Sequence, residues 1–316
     1  MSDQLPVIDL SGRGLPRLAA LIGAACREIG FFYVVGHGVP QALIDQTFAQ
    51  ARWFFALDPA EKARVAIERV GNNRGYAALK SEALDPTRPA DLKEAFNVGL
   101  ELAADHPDLQ AGVPFRGLNG WPADPAFRAT LLAYFDQTQA LGAWLHRAFA
   151  CDLGLPPDHF EALIDRPMST LRLLHYPPQP VEAEPGQIGA GEHTDYGNIT
   201  LLMTDDVGGL QVQRRDGVWI EAPVVPGAYV VNIGDCLMRW TNDVYVSTPH
   251  RVVNASGRER FSIAYFLDPN PDALVAALPG TVALGAQPYH PPVTAADYLA
   301  GRLDATYAHR RGGAAE

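Results

Sequence analysis

GEHTDYGNITLL, residues 191–202, carries two signals at once. His193 and Asp195 form an H-x-D pair, and the segment behind them, NITLLMT (198–204), has the apolar, β-branched character of a strand. Residues two apart on extended backbone point to one face, so an imidazole nitrogen and a carboxylate oxygen can converge on one cation. Gly191 and Gly197 bracket the pair and permit close approach of the backbone. A 2-His-1-carboxylate set for mononuclear non-haem iron needs one more histidine. His250, in STPHRVVN (247–254), is the candidate, and Arg260-Phe261-Ser262 follows at the head of RFSIAYFL (260–267).

Around this stretch the chain reads as short strands. LRLLHY (171–176), LQVQ (210–213), VWIEAP (218–223), AYVVNIG (228–234) and HRVVN (250–254) join the two already quoted, separated by turn signals such as Asp216-Gly217 and Ser256-Gly257. Strands at this density predict a double-sheet jelly roll. HRVVN and RFSIAYFL are expected to pair as a hairpin. Alternation on the second of these puts Arg260, Ser262 and Ala264 on one face, with Phe261, Ile263 and Tyr265 on the other. A guanidinium facing the inside of a small barrel requires an anion, either a buried Asp or Glu or the carboxylate of a ligand.

The N-terminal half is mixed. LPVIDL (5–10) reads as a strand, Leu15 to Ile29 as an amphipathic helix, and FFYVV (31–35) as a buried strand entering a Gly36-His37-Gly38 turn. His37, with no carboxylate at metal spacing, reads as structural. Asp58-Pro59-Ala60-Glu61 marks a helix start. Residues 71–120 read as loops and short strands. From Pro125 to Ala150 the apolar residues Phe127, Leu131, Tyr134, Phe135, Leu141, Leu145 and Phe149 predict a long helix backing a sheet, with His146 and His159 as surface residues. AADYLAGRLDATY (295–307) is expected to be helical and RRGGAAE (310–316) a frayed tail. The fold class is therefore α+β: a double-stranded β-helix core flanked by N-terminal helices and a C-terminal helix. A single domain spans 1–316, with a helix-and-strand region (1–166), the jelly-roll core carrying the metal site (167–270) and a C-terminal segment (271–316).

Composition narrows the class. Hydrophobic residues make up 47% and charged residues 19%, which suits a folded chain with a large core. A net charge of -11 without a basic tract argues against nucleic acid or an anionic membrane as partner. No stretch approaches the roughly 18 apolar residues of a membrane span, and the opening MSDQLPVIDL lacks signal-peptide character. Cys26, Cys151 and Cys236, odd in number and widely spaced, read as free thiols. A cytoplasmic, reducing location is expected, and it would keep iron ferrous.

The sequence resembles the isopenicillin N synthase-like group of Fe(II)/2-oxoglutarate-dependent oxygenases. The likeness is carried by the H-x-D...H...R-x-S signature at His193, Asp195, His250, Arg260 and Ser262, and by GGLQV (208–212), VVNIGD (230–235), LPVIDL and REIGFFYVVGHGV (27–39). It implies Fe(II) held by His193, Asp195 and His250, and 2-oxoglutarate held by Arg260 and Ser262 with a contact from Tyr176. It also implies O2 as second co-substrate, and oxidation, most simply hydroxylation, of a small molecule with release of succinate and CO2. The family asparagine two residues before that tyrosine is Leu174 here. In some members the R-x-S pair binds the substrate's own carboxylate, so a ring-forming oxidase independent of 2-oxoglutarate and an ethylene-forming type stand as alternatives, beside a non-enzymatic binding barrel. Candidate substrate residues are Asn73, Arg74, Tyr76, Glu94 and Phe96, with Arg239 and Tyr307 from the C-terminal half. Arg74 with Glu94 would suit an amino-acid-like zwitterion, or else the two pair with each other or face solvent.

Overall fold

Two-residue alternation sorts the strand side chains into two sets, and the computed structural model packs each set into its own core. The structure describes residues 4–12, 14–84, 89–178 and 187–311, without the side chains of 305–311. The strands are β1 (Val7–Asp9), β2 (Phe31–Val35), β3 (Gly75–Ala77), β4 (Glu94–Gly99), β5 (Thr170–Tyr176), β6 (Ala190–His193) and β7 (Ile199–Thr204). They continue with β8 (Leu210–Gln213), β9 (Trp219–Glu221), β10 (Tyr229–Ile233), β11 (His250–Val252), β12 (Arg260–Leu267), β13 (Leu274–Val275) and β14 (Val293–Thr294). A large sheet runs β1-β2-β10-β7-β12-β5-β4-β3 and faces a small sheet, β6-β11-β8-β9, while β13 and β14 pair separately. This is the jelly roll expected. Strands from the N-terminal region extend the large sheet at both edges.

Leu171, Leu173, Phe261, Ile263, Tyr265, Ile199, Leu201 and Val231 point away from the small sheet into a core shared with helices. Leu174, Tyr176, Ala264, Ala95 and Val230 point toward the small sheet and meet Leu210, Val212, Ile220 and Val252. The helices are α1 (Leu15–Glu28), α2 (Gln41–Phe55), α3 (Pro59–Ala63), α4 (Ile67–Val70), α5 (Pro107–Gln110), α6 (Pro125–Asp152), α7 (Asp235–Trp240) and α8 (Ala295–Arg311). Asp58 and Asp124 cap α3 and α6 by accepting from the N–H two residues on, each at 2.8 Å. The expected stripe of α6 is buried from Phe127 to Phe149. Each such side chain contributes about 1.5–3 kcal/mol relative to exposure. Helix α8 continues past the expected end at Tyr307, and residues 312–316 of the expected tail lie outside the described residues.

Three expectations need correction. First, β11 and β12 are not a hairpin: β11 pairs with β6 and β8 in the small sheet, and β12 with β5 and β7 in the large one. The turn at Gly257, with φ 71°, lies in a connection that crosses between sheets, so proximity in sequence did not imply pairing. The Asp216-Gly217 hairpin is present, with Gln213 opposite Trp219. Second, His146 is 1% exposed, donates from Nδ1 to Gly142 O at 2.8 Å and accepts at Nε2 from Asn198 Nδ2 at 3.1 Å. Burial lowers its pKa to about 4, so it is a neutral tether between α6 and the start of β7.

Third, Tyr76 and Phe96 belong to the helix-side core, and Glu94 shares their face of the sheet by alternation. Glu94 accepts from Lys62 Nζ at 2.8 Å and Tyr76 OH at 2.5 Å and meets His175 Nδ1 at 2.8 Å. Two residues proposed for the substrate, Tyr76 and Glu94, thus build a buried polar cluster with Lys62 and His175, and Phe96 packs in the adjoining apolar core, all on the opposite side of the sheet from the candidate metal ligands.

Burial alone would raise the Glu94 carboxyl; hydrogen bonds from His175, Lys62 and Tyr76 outweigh it and hold the pKa at about 2, against an ordinary 4.5. A depressed carboxylate stabilises the fold above its unfolded pKa, and that stability disappears as pH falls from about 4.5 toward 2. Glu94→Gln should therefore cost about 3 kcal/mol in urea unfolding at neutral pH, by stranding the Lys62 ammonium, and should remove this acid-sensitive step. A raised substrate KM with unchanged stability would instead return Glu94 to the substrate pocket.

Candidate metal centre

Strand β6 ends at His193, and its pairing with β11 sets His193 directly opposite His250. The register slips between His250 and Val252, a bulge that brings the two imidazoles to 4.3 Å between ring centres. Asp195 lies just beyond the strand, so the shared face expected from an H-x-D on one strand is replaced by a loop that turns the carboxylate inward. His193 Nε2 and His250 Nε2 each stand 3.8 Å from Asp195 Oδ1, and the three donor atoms all lie within 4.8 Å of one another.

The remaining atoms of each ligand are already engaged. His193 Nδ1 donates to Gly191 O at 2.7 Å and His250 Nδ1 to Thr248 O at 3.2 Å, which leaves both Nε2 lone pairs directed inward. Asp195 Oδ2 accepts from Asn232 Nδ2 at 2.7 Å and from the Thr200 hydroxyl, so Oδ1 alone faces the histidines. Burial, then the neighbouring His250, lowers His193 to about 3, while Asp195 stays ionised because the two histidines and its hydrogen bonds outweigh burial. Two imidazole Nε2 atoms and one carboxylate oxygen fit a divalent iron with open coordination positions.

The loop that carries Asp195 is held by α7. The Asp235 N–H donates to Asp195 O at 2.8 Å, and the Cys236 N–H to Tyr196 O and Gly197 O, both at 3.1 Å. These bonds satisfy helix-start donors that have no partner within the helix. Gly197 and Gly234 are required by close approach: a Cβ would lie 2.2 Å from Asp268 Oδ1 at the first and 2.2 Å from Gly197 O at the second. Arg302 of α8 pairs with Asp235 at 2.8 Å and lies 4.5 Å over the Tyr196 ring, closing one side of the loop.

Arg260 lies inside the barrel, 0% exposed, with its Cζ 4.8 Å over the Tyr176 ring. Nε donates to Gly208 O at 2.6 Å and Nη1 to Ser262 Oγ at 3.2 Å, whereas Nη2 is buried with no hydrogen-bond partner among the described residues. Among the described residues no carboxylate pairs with it. A free carboxylate at this point would satisfy the stranded N–H groups and the charge together.

Of the expected substrate residues, Asn73 and Arg74 remain on the metal side of β4. Asn73 accepts from Asn97 Nδ2 through its carbonyl and side chain, at 3.1 and 3.2 Å. The Arg74 guanidinium lies over Gly99, with Nη1 near Asn119 and Nη2 donating to Phe115 O at 3.2 Å. Arg239 packs its guanidinium over Tyr298 and donates to Pro291 O, and the side chain of Tyr307 lies outside those described. Thr200 and Asn232 were not anticipated as supports of Asp195. VVNIGD contained the latter, and its strand alternation was the available signal.

The jelly roll, the open triad and the buried arginine define a non-haem iron oxygenase centre. A family described as non-haem dioxygenase in morphine synthesis N-terminal matches residues 5–124, and the 2OG-Fe(II) oxygenase superfamily matches residues 167–269. The 2-oxoglutarate-Fe(II) type oxidoreductase hxnY of Emericella nidulans is 38% identical, over 96% of this chain and 90% of its own length. A homoarginine-6-hydroxylase of Glycine max is 36% identical over 87% of this chain and 88% of its own. A full-length Neurospora crassa protein, crystallised in complex with alpha-KG and thymine, superposes with a TM-score of 0.85 at 34% identity, covering 96% of this chain and 97% of that one. The chain belongs to the 2OG-Fe(II) oxygenase superfamily; it is an Fe(II)/2-oxoglutarate-dependent oxygenase using iron, 2-oxoglutarate and O2. No helix among the described residues is long and apolar enough to cross a membrane.

Replacing Asp195 with Ala removes the single carboxylate of the triad and should abolish stoichiometric Fe(II) binding, measured by equilibrium dialysis. Iron retained at one equivalent would mean that the donor set lies elsewhere.

Proposed function

We propose that His193, Asp195 and His250 hold the iron, that Arg260, Ser262 and Tyr176 hold 2-oxoglutarate, and that the reaction is hydroxylation of a small molecule. The observation that carries this reading is the buried Arg260 Nη2 without a partner. With Nε and Nη1 bonded to Gly208 and Ser262, the guanidinium plane is fixed, and an incoming carboxylate meets an oriented donor rather than a mobile side chain. The Tyr176 ring supports that plane by cation–π contact. Leu174, Ala264, Val212 and Val252 surround the space between this arginine and the histidines with apolar surface, which excludes water and strengthens the ion pair. Leucine at 174, where the family carries asparagine, leaves the keto-acid chain in an apolar setting at that edge.

The chemistry supplied when iron and 2-oxoglutarate are bound is oxidative decarboxylation to succinate and CO2, coupled to oxidation of a substrate C–H bond. The protein orients both partners and keeps Asp195 ionised. An amino-acid-like substrate loses its structural support, because Glu94 faces the helices and Arg74 is bonded to Phe115 and close to Asn119. One relative is named for hydroxylating homoarginine and the Neurospora crassa protein is seen with thymine, compounds so unlike that the pocket is the better guide to substrate. A cytoplasmic location is supported by three cysteines that are all free.

Anaerobic titration of the Fe(II)-loaded protein with 2-oxoglutarate should develop the weak visible charge-transfer band of a chelated keto acid. Arg260→Lys keeps the charge and loses the fork, so it should weaken 2-oxoglutarate at least about tenfold with iron affinity unchanged. Iron binding without a band would favour the oxidase reading, in which the arginine serves a substrate carboxylate.

A further inference from the structure

We infer that the substrate presents an uncharged amide-type edge, a carbonyl beside an N–H, which Arg172 and Asn97 bind from two paired strands; this rests on the iron and 2-oxoglutarate reading above. Asn97 on β4 stands directly opposite Arg172 on β5. By alternation both share the face of Ala95, Leu174 and Tyr176, the face turned toward the small sheet and the metal ligands. Asn97 is 1% exposed, and its Nδ2 is committed to Asn73, which fixes the amide orientation. Its Oδ1 is then a buried acceptor with no donor among the described residues. Arg172 Nη2 is bound to Glu82, and Arg172 Nε is a buried donor with no acceptor among the described residues. One stranded donor and one stranded acceptor on cross-strand neighbours form the complement of a lactam or cyclic imide edge.

Position and charge favour the same ligand. Glu82 also lies 3.6 Å from Lys93, Lys93 pairs with Asp91, and Asp91 Oδ1 accepts from Gly191 N at 2.9 Å, two residues before His193. The pair therefore sits beside the strand that delivers a metal ligand. Phe266 lies on the same face, in register with Thr170 of β5 and with Thr200, whose hydroxyl holds Asp195, and offers apolar surface for a planar ring. Lys93 and Arg172 each already have a carboxylate partner, whereas Arg260 has none among the described residues. A ligand carboxylate is thus drawn to Arg260, and the place between Arg172 and Asn97 suits a neutral group.

Calorimetric titration of the anaerobic Fe(II)/2-oxoglutarate protein with uracil and 2-pyridone tests this, with N-methyl-2-pyridone and lysine as controls. Both lactams should bind. N-methylation, which removes the donor, should weaken 2-pyridone about tenfold in the wild type and make little difference in Asn97→Leu. Arg172→Lys, which keeps the pair with Glu82, should weaken both lactams about tenfold. Each variant should bind 2-oxoglutarate as the wild type does, which also shows that it is folded. Lactams that do not bind to protein that binds 2-oxoglutarate, or lysine binding that depends on Arg172 and Asn97, would overturn the inference and leave the cofactor reading intact. Failure to bind 2-oxoglutarate would overturn both.

Discussion

A buried carboxylate with one oxygen bonded and the other free is the constraint on which this molecule turns. Asp195 Oδ2 is taken by Thr200 and Asn232, and its carbonyl by the first turn of α7. Isolated in a protein interior such a charge would be expensive, and it would neutralise itself by taking up a proton. The flanking histidines and the two hydrogen bonds prevent that, so the site keeps an anionic oxygen at a point where both Nε2 atoms converge. The supports come from β7, β10 and α7, elements separated in sequence that the large sheet brings side by side.

The same sheet separates two chemistries by face. On the helix side, Glu94 is surrounded by Lys62, Tyr76 and His175, and the cluster is internally complete. On the metal side three polar atoms are left incomplete: among the described residues, Nη2 of Arg260, Nε of Arg172 and Oδ1 of Asn97 are buried without hydrogen-bond partners. A protein interior ordinarily satisfies its polar atoms, so exceptions that face the candidate triad mark where a ligand would complete the structure. The difference between Arg260 and Arg172 is also physical. The first lacks a carboxylate among the described residues and the second has one, which assigns charge to one end of the cavity and neutral hydrogen bonding to the other.

The candidate triad, the jelly-roll class and most strand positions are legible in the residues alone. Alternation is a local property, and RFSIAYFL shows it plainly enough to put Arg260 and Ser262 inside the barrel. Spacing and residue type likewise single out His193, Asp195 and His250 as candidate ligands, which the fold brings together, because few side chains can bind iron. Strand pairing is not legible in this way: β11 and β12, neighbours in sequence, lie in opposite sheets. The face of β4 is equally hidden, since the stretch around Glu94 and Phe96 reads only as loops and short strands, and a one-residue difference in phase moves every side chain to the other side. His146 reads as a surface residue until α6 packs against β7, and Asn97 and Arg172 gain meaning only as cross-strand neighbours. Local periodicity records what a residue prefers to face; what it meets there depends on strand order and register, which are set by contacts between residues far apart in the chain.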